Sequence, residues 1–210
     1  RAHGDPGHAD VIQAECPLDP EEALAKLRES HDMAVRLGHG FSAGVALDNM
    51  AKVEFGYRRL PEALEHWREA SAAHRASGST VGMAYSLKGV AECHQLQGDI
   101  EDAIEASLQA LAAVDQMDGP ESLRVQLCCM LQNMLAGREP ERALAFRHRF
   151  AASLRACGRD PDCFGACAIC YESMDDGGLL PIVIRPYCHH AFHAACWEQV
   201  GAQRCPTCRE

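Results

Sequence analysis

A period of forty residues runs through most of this 210-residue chain and constrains its fold more than any other feature. Alanine recurs at that interval, and an aliphatic residue follows it each time, at Ala23/Leu24, Ala63/Leu64, Ala103/Ile104 and Ala143/Leu144. Glycine keeps the same register at Gly38, Gly78 and Gly158. A fixed period of about 20–50 residues is typical of stacked helical repeats, in which each unit buries its apolar face against the next. The predicted fold is therefore mostly α, a helical solenoid.

Each period is predicted to contain two helices. Proline opens three of the second helices, at a position where its missing N–H has no intrahelical partner, and these helices cover 20–38, 61–78 and 140–158. The remaining second helix covers 100–114, with Asp99 as its predicted N-cap. First helices are predicted over 42–56, 80–96 and 120–136. The solenoid then has three helix pairs preceded by one further helix.

The third period carries the pattern Leu87-x2-Val90-Ala91, then Gly98-x-Ile100-x2-Ala103, then Ala110. This pattern resembles the tetratricopeptide repeat family, with a longer repeat than usual. The resemblance implies that a protein or peptide partner binds the face lined by the first helices. Candidate contacts on that face are Asp48, Asn49, Lys52, Lys88, Glu92 and Gln132. The alternative interpretation is that these polar side chains only solvate exposed helix faces.

The last 44 residues combine cysteine and histidine at short intervals. The order is Cys167-x2-Cys170, Cys188-x-His190-x2-His193-x2-Cys196 and Cys205-x2-Cys208. A two-residue gap allows both side chains of a tight turn to bind one metal ion, which supplies half of a tetrahedral shell. Four such half-sites predict two complete zinc sites. A disulfide framework and a thioredoxin-like redox pair are the weaker alternatives, because the helical sequence before this region suits neither.

This spacing resembles the RING-H2 finger, whose two zinc sites interleave. The resemblance assigns Cys167, Cys170, His193 and Cys196 to the first zinc ion, and Cys188, His190, Cys205 and Cys208 to the second. Both sites would be closed and structural, with no open position for a reactive water. His189 and Cys163 are then left outside the ligand set.

RING fingers receive a ubiquitin-conjugating enzyme, so the resemblance implies a RING-type E3 ubiquitin ligase that works by positioning. No residue of the chain would form a covalent intermediate. The implied contacts with the conjugating enzyme are Ile169, Val200, Pro206 and Arg209. The sequence departs from the family in two ways, because Val200 stands where tryptophan is frequent and only eight residues separate Cys196 from Cys205.

Helical repeats before a C-terminal RING-H2 finger also resemble the rapsyn family, the receptor-associated proteins of the synapse. "RHRF" at 147–150 and "ESM" at 172–174 add to the likeness. It implies a second hypothesis, a non-catalytic scaffold that clusters membrane receptors of the acetylcholine receptor type and links them to the cytoskeleton. A receptor cytoplasmic segment would then be a partner, and the protein would be membrane-peripheral.

Composition narrows the remaining choices. Thirty acidic and twenty basic side chains give a net charge of −10, which disfavours nucleic acid as a partner. No apolar run approaches the roughly 20 residues of a membrane span. Twelve cysteines in a chain with long helical patterns indicate bound metal in a reducing compartment, so the expected compartment is the cytoplasm. Because the chain begins with Arg1, we expect further residues upstream.

The expected organisation is a partial or disordered segment (1–18), repeats (19–158), a linker (159–166) and the zinc finger (167–210).

Overall fold

The structure is a computed structural model that describes residues 19–117, 119–158, 165–174, 180–184, 191–201 and 207. The chain divides into two compact units, Arg1–Ala113 and Val114–Glu210. Among the described residues, seven long helices precede a small α/β region, and their bounds are α1 Pro20–Arg36, α2 Gly40–Gly56, α3 Leu60–Ala76, α4 Thr80–Gln97, α5 Ile100–Gln116, α6 Glu121–Leu135 and α7 Pro140–Ala156. The small region contains β1 Ile182–Ile184, β2 Ala191–His193 and α8 Ala194–Val200.

Local chemistry explains where these helices begin and end. Asp19 caps α1 by accepting a hydrogen bond from the Glu21 amide at 3.3 Å, and proline lies in the first turn of α1, α3 and α7. Left-handed glycines follow the helices, with φ of +71° at Gly38 and +75° at Gly78. The predicted helix limits differ from the observed ones by two residues or fewer at almost every end, and the helical-repeat class is confirmed.

In the first unit, small residues allow large ones to pack closely. Ala63 and Ala103, two of the alanines of the period, have no exposed surface. Gly89 of α4 lies under the indole ring of Trp67, which also packs edge-on against Phe55 at 5.3 Å between ring centroids. A Cβ atom at Gly89 would fall 2.2 Å from the ring, so glycine is required at this contact.

A group of three polar side chains is buried among α2, α3 and α4 of the first unit. The Asp48 carboxylate of α2 contacts His74 Nε2 of α3 at 2.9 Å and accepts a hydrogen bond from Ser86 Oγ of α4 at 2.7 Å. His74 and Ser86 are almost fully buried, and Asp48 is 8% exposed. This group therefore ties three consecutive helices together.

The second unit begins within α5 and contains α6, α7 and the small α/β region. The helices α6 and α7 pack against each other through buried apolar side chains, which include Leu127, Leu131, Phe150 and Leu154. β1 pairs antiparallel with β2, with Ile182 opposite His193 and Val183 opposite Phe192. Phe192 is fully buried and packs against Trp197 of α8 at 5.4 Å between centroids.

Within the described ranges, none of the helices combines the length and apolarity needed to cross a membrane. The expected compartment and the expected membrane-peripheral location stay predictions.

Candidate functional site

The first half of the candidate metal centre is a tight turn over residues 165–174. The Cys167 amide donates to Glu172 O at 2.9 Å, and the Tyr171 amide donates to Cys167 O at 2.7 Å. Tyr171 has a left-handed backbone with φ of +62°, which reverses the chain directly after Cys170. The turn therefore directs the thiols of Cys167 and Cys170 to the same side.

The second half comes from the junction of β2 and α8. His193 is the last residue of β2, and Cys196 lies in the first turn of α8. His193 Nδ1 lies 3.4 Å from Cys170 Sγ and 4.0 Å from Cys196 Sγ. The strand–helix junction thus supplies the other two side chains and aims the Nδ1 atom of the imidazole at the thiols.

The four ligand atoms of Cys167, Cys170, His193 and Cys196 all lie within 4.8 Å of one another. In a tetrahedral zinc site with bonds of about 2.0–2.3 Å, ligand atoms are roughly 3.5–3.8 Å apart. Three sulfur donors and one imidazole nitrogen are also a typical set for structural zinc. The residues present therefore fit a zinc ion, with each ligand needing to move by only a fraction of an ångström.

The electrostatics of this cluster also suit a cation. The pKa of the Cys167 thiol is lowered from its ordinary value. Burial raises this pKa, but hydrogen bonds from the backbone of Cys170, His193 and Ile169 outweigh the effect of burial. Burial and its thiol neighbours raise the pKa of Cys196 to about 11. Several thiolates at this distance repel one another unless a cation lies between them, and a dication would remove that penalty.

The second predicted ligand set, Cys188, His190, Cys205 and Cys208, lies outside the described residues. The same is true of His189, Cys163 and Cys16, and of two predicted contacts with a conjugating enzyme, Pro206 and Arg209. Their roles, and with them the number of zinc ions, stay predictions. The other two predicted contacts are described. Ile169 is half-buried in the turn between the first two cysteines, and Val200 is 49% exposed at the end of α8.

On the helical repeats, two clefts of about 450 and 390 Å³ share Asp48, Lys52 and Tyr85 as lining residues. Four predicted face residues line the larger cleft, and Asn49 lines the smaller one; the four are Asp48, Lys52, Lys88 and Glu92. The sequence analysis missed the apolar side chains that line the smaller cleft. Each is 37–54% exposed, and they belong to Phe41, Val45, Val81 and Tyr85.

Two of the predicted face residues point inward instead. Asp48 is occupied by His74 and Ser86, as described above. Gln132 is 1% exposed, and its Nε2 donates to Leu180 O at 3.0 Å within the second unit. A polar side chain inside a helix pair finds partners in its own chain. Gln132 is therefore removed from the predicted binding face, whereas Asp48 lines both clefts with its carboxylate already paired.

A second cluster of ligand-type atoms lies at the turn between α4 and α5, formed by His94, Asp99 and Asp102. The guanidinium of Arg68 lies 3.3 Å from His94 Nε2, and His94 Nδ1 lies 3.6 Å from the exposed Asp99 carboxylate. A guanidinium at this distance opposes a metal cation on the same ring, so we assign no metal to this cluster.

Cysteines within helices are expected to be small buried hydrophobes. This is correct for Cys93 and Cys128, and burial raises the pKa of their thiols to about 12 and about 11. Cys129 is half-buried. The prediction is wrong for Cys157, which is exposed because it follows the last turn of α7.

Comparison with known families agrees with both parts of the chain. Residues 42–116 match the tetratricopeptide repeat family, and residues 165–209 match the Ring finger domain. No curated protein matches the chain. The predicted architecture of tetratricopeptide-type repeats followed by a C-terminal RING-type finger is therefore confirmed, and with it a role in protein–protein interaction.

Proposed function

We propose that this chain is a RING-type E3 ubiquitin ligase, in which the repeats bind a protein substrate and the finger binds a charged ubiquitin-conjugating enzyme. The observation that carries the proposal is the cluster of Cys167, Cys170, His193 and Cys196 inside a segment that matches the Ring finger domain. In this role zinc is structural, because it holds the turn and the β2–α8 junction as one rigid surface.

The ligand sets follow the RING-H2 pattern. The first zinc ion is held by Cys167, Cys170, His193 and Cys196, and the second by Cys188, His190, Cys205 and Cys208. Two structural zinc ions per chain are proposed on this basis, and the domain limits remain 19–158 for the repeats and 167–210 for the finger.

The proposed docking surface for the conjugating enzyme contains Ile169, Val200, Pro206 and Arg209. Val200 supports this assignment, because an aliphatic side chain at the end of α8 is half exposed rather than packed. Ubiquitin transfer would then proceed without a covalent intermediate on this chain. The finger holds the thioester in a reactive geometry while a substrate lysine attacks.

The substrate-binding surface is proposed on α2 and α4. Their clefts combine exposed apolar side chains, such as Phe41 and Tyr85, with the ammonium group of Lys52. A peptide with apolar anchors complements the exposed apolar side chains, while the Asp48 and Glu92 carboxylates balance the lysines of the same clefts.

The test is an autoubiquitination assay of the zinc-loaded protein with a panel of conjugating enzymes. We expect Ile169→Ala and Arg209→Ala to reduce the rate at least tenfold with any enzyme that supports activity. The matched control is Val35→Ala, which removes a 57% exposed apolar side chain from α1 and should leave the rate unchanged. Equal activity of the Ile169 and control variants would show that the docking surface is wrongly assigned.

A second candidate function is the non-catalytic scaffold, in which the finger mediates assembly of receptors. It is favoured by Val200 in place of tryptophan and by the short gap between Cys196 and Cys205. Absence of activity with every conjugating enzyme, from protein that holds its zinc, would select this function.

A further inference from the structure

Within the second unit, three polar side chains of α6 and α7 reach the main chain of the finger. They are Gln132 and Asn133 of α6 and Arg147 of α7, and their partners are 27 to 49 residues away in sequence. The repeat register makes two of these residues unusual. Arg147 corresponds to Ser107 one period earlier and to Trp67 two periods earlier. Asn133 corresponds to Cys93 one period earlier, and these three earlier residues are buried. In the last repeat, larger polar side chains thus take positions that hold small or apolar residues in the earlier repeats.

Of the fully buried side chains in the part of the chain that the structure describes, that of Arg147 is the largest. Its Nη1 donates to Met174 O at 2.5 Å, and its Nη2 donates to Leu180 O at 2.8 Å. Met174 ends the turn that carries Cys167 and Cys170, and Leu180 precedes β1. A guanidinium so deeply buried is tolerated only where several acceptors surround it, and the finger supplies at least two of them.

The Asn133 side chain forms a pair of hydrogen bonds with the main chain of β1, as an adjacent strand does. Its Nδ2 donates to Ile182 O at 2.9 Å, and its Oδ1 accepts from the Ile182 amide at 3.0 Å. Ile182 is the β1 residue opposite His193, and Gln132 adds a hydrogen bond to Leu180 O. The helix side chains therefore reach both halves of the first zinc site, the cysteine turn through Met174 and the histidine strand through Ile182.

We propose that Arg147, Gln132 and Asn133 form a clamp that makes α6 and α7 a structural part of the zinc finger. Folding of this helix pair is then linked to metal binding at the first site, and the finger moves together with the pair. The clamp gives a structural role to Arg147, the first residue of "RHRF". It also assigns α6 to holding the finger, so the partner-binding face is left to α2 and α4.

The clamp concerns how the finger is held, and it holds for a ligase and for a scaffold alike. Its test therefore measures metal release and amide exchange on the full chain, and neither readout depends on ubiquitin transfer.

The first measurement is the rate at which the zinc-loaded full chain releases zinc to a chromogenic chelator. Arg147→Met keeps much of the side-chain volume but removes both donors, and we expect release at least tenfold faster. Arg149→Met is the matched control, since this arginine of the same helix is 43% exposed and pairs with Asp115. Arg147→Lys should fall between wild type and Arg147→Met, because one ammonium can reach one carbonyl but not both. Equal release rates for the Arg147→Met and Arg149→Met variants would overturn the proposal.

The second measurement keeps the test decisive if Arg147→Met fails to fold. Hydrogen–deuterium exchange is compared before and after zinc is removed from the unaltered protein. We expect amides of α6 and α7 to exchange at least tenfold faster after removal, with α2 and α3 unchanged. Unchanged protection of α6 and α7, or an equal loss in α2 and α3, would contradict the linkage.

Discussion

The two units of this chain bury their polar groups against different partners. In the first unit the buried Asp48 is satisfied by other helix side chains, His74 and Ser86. In the second, Arg147 and Asn133 are satisfied mainly by main-chain groups of the finger. The difference follows from what each helix packs against. The main-chain N–H and C=O groups of a neighbouring helix are already hydrogen-bonded within that helix, whereas a turn or an edge strand has main-chain groups that still need partners.

This comparison shows how a regular repeat can be adapted at its end. Between helices, a core position is filled well by alanine, glycine or a large apolar residue such as Trp67. In the last repeat, which packs against the irregular main chain of the finger, the position that corresponds to Trp67 is occupied by Arg147. The stability of the first unit should then depend on packing, and that of the second on metal binding and hydrogen bonds.

The largest effect is expected from His193→Ala. It removes one ligand of the first site, and structural zinc contributes roughly 10–16 kcal/mol of apparent binding energy, which exceeds the stability of a small domain. We expect the loss of one zinc ion per chain and unfolding of the finger, while amide protection of α2 and α3 persists. Metal analysis and hydrogen exchange measure both. As a control, His94→Ala should leave the zinc content unchanged, and zinc loss from it would mean that the α4–α5 turn also binds metal.

Packing in the first unit is tested by Gly89→Ala. The added methyl group would lie 2.2 Å from the Trp67 ring, so the indole or the helix must shift. We expect a loss of about 3 kcal/mol in the free energy of unfolding, the upper end of the usual range for overpacking. Urea unfolding followed by circular dichroism measures it. Gly40→Ala is the control, because its Cβ would lie 3.5 Å from Ser77, an ordinary contact. Equal stability of the two variants would refute the packing assignment.

The polar group of the first unit is tested by Asp48→Ala, with a smaller expected effect. The change leaves His74 Nε2 without its carboxylate inside the core, and the expected cost is about 2 kcal/mol. Asp32→Ala removes an exposed carboxylate of α1 and should change stability by less than about 0.5 kcal/mol. If Asp48→Ala keeps full stability but weakens binding of a partner, Asp48 acts at the clefts that it lines rather than in holding the helices together.

The smallest effect concerns reactivity rather than stability. At pH 8 a thiol with a pKa of about 12, as at Cys93, is deprotonated in about one molecule in ten thousand. A raised pKa means that alkylation requires higher pH, so iodoacetamide should modify exposed Cys157 well before Cys93 or Cys128. Peptide mass spectrometry after short labelling distinguishes these sites. Modification of Cys93 as fast as Cys157 in the native protein would show that α4 opens readily.

Much of the fold could be predicted because its signals are local. Proline at helix starts, glycine after helix ends and alanine every forty residues give the helix limits closely. The pairing of Cys167 with Cys170, and of His193 with Cys196, follows from two-residue gaps. By contrast, Asp48 and Gln132 were predicted to face a partner, because the first helices of such repeats line the binding face. The forty-residue register held a signal that Arg147 is buried, because it places Arg147 at the position that corresponds to the buried Trp67.

The sequence by itself determined the elements of this protein and the residue types of its metal site. Both depend on spacings of a few residues or on a simple repeat, which the chain carries regardless of how its parts meet. Only the tertiary structure decided which polar groups are buried and with what they pair. Arg147, Gln132 and Asn133 bind main-chain atoms 27 to 49 residues away, and a main-chain carbonyl looks the same at every position of a sequence.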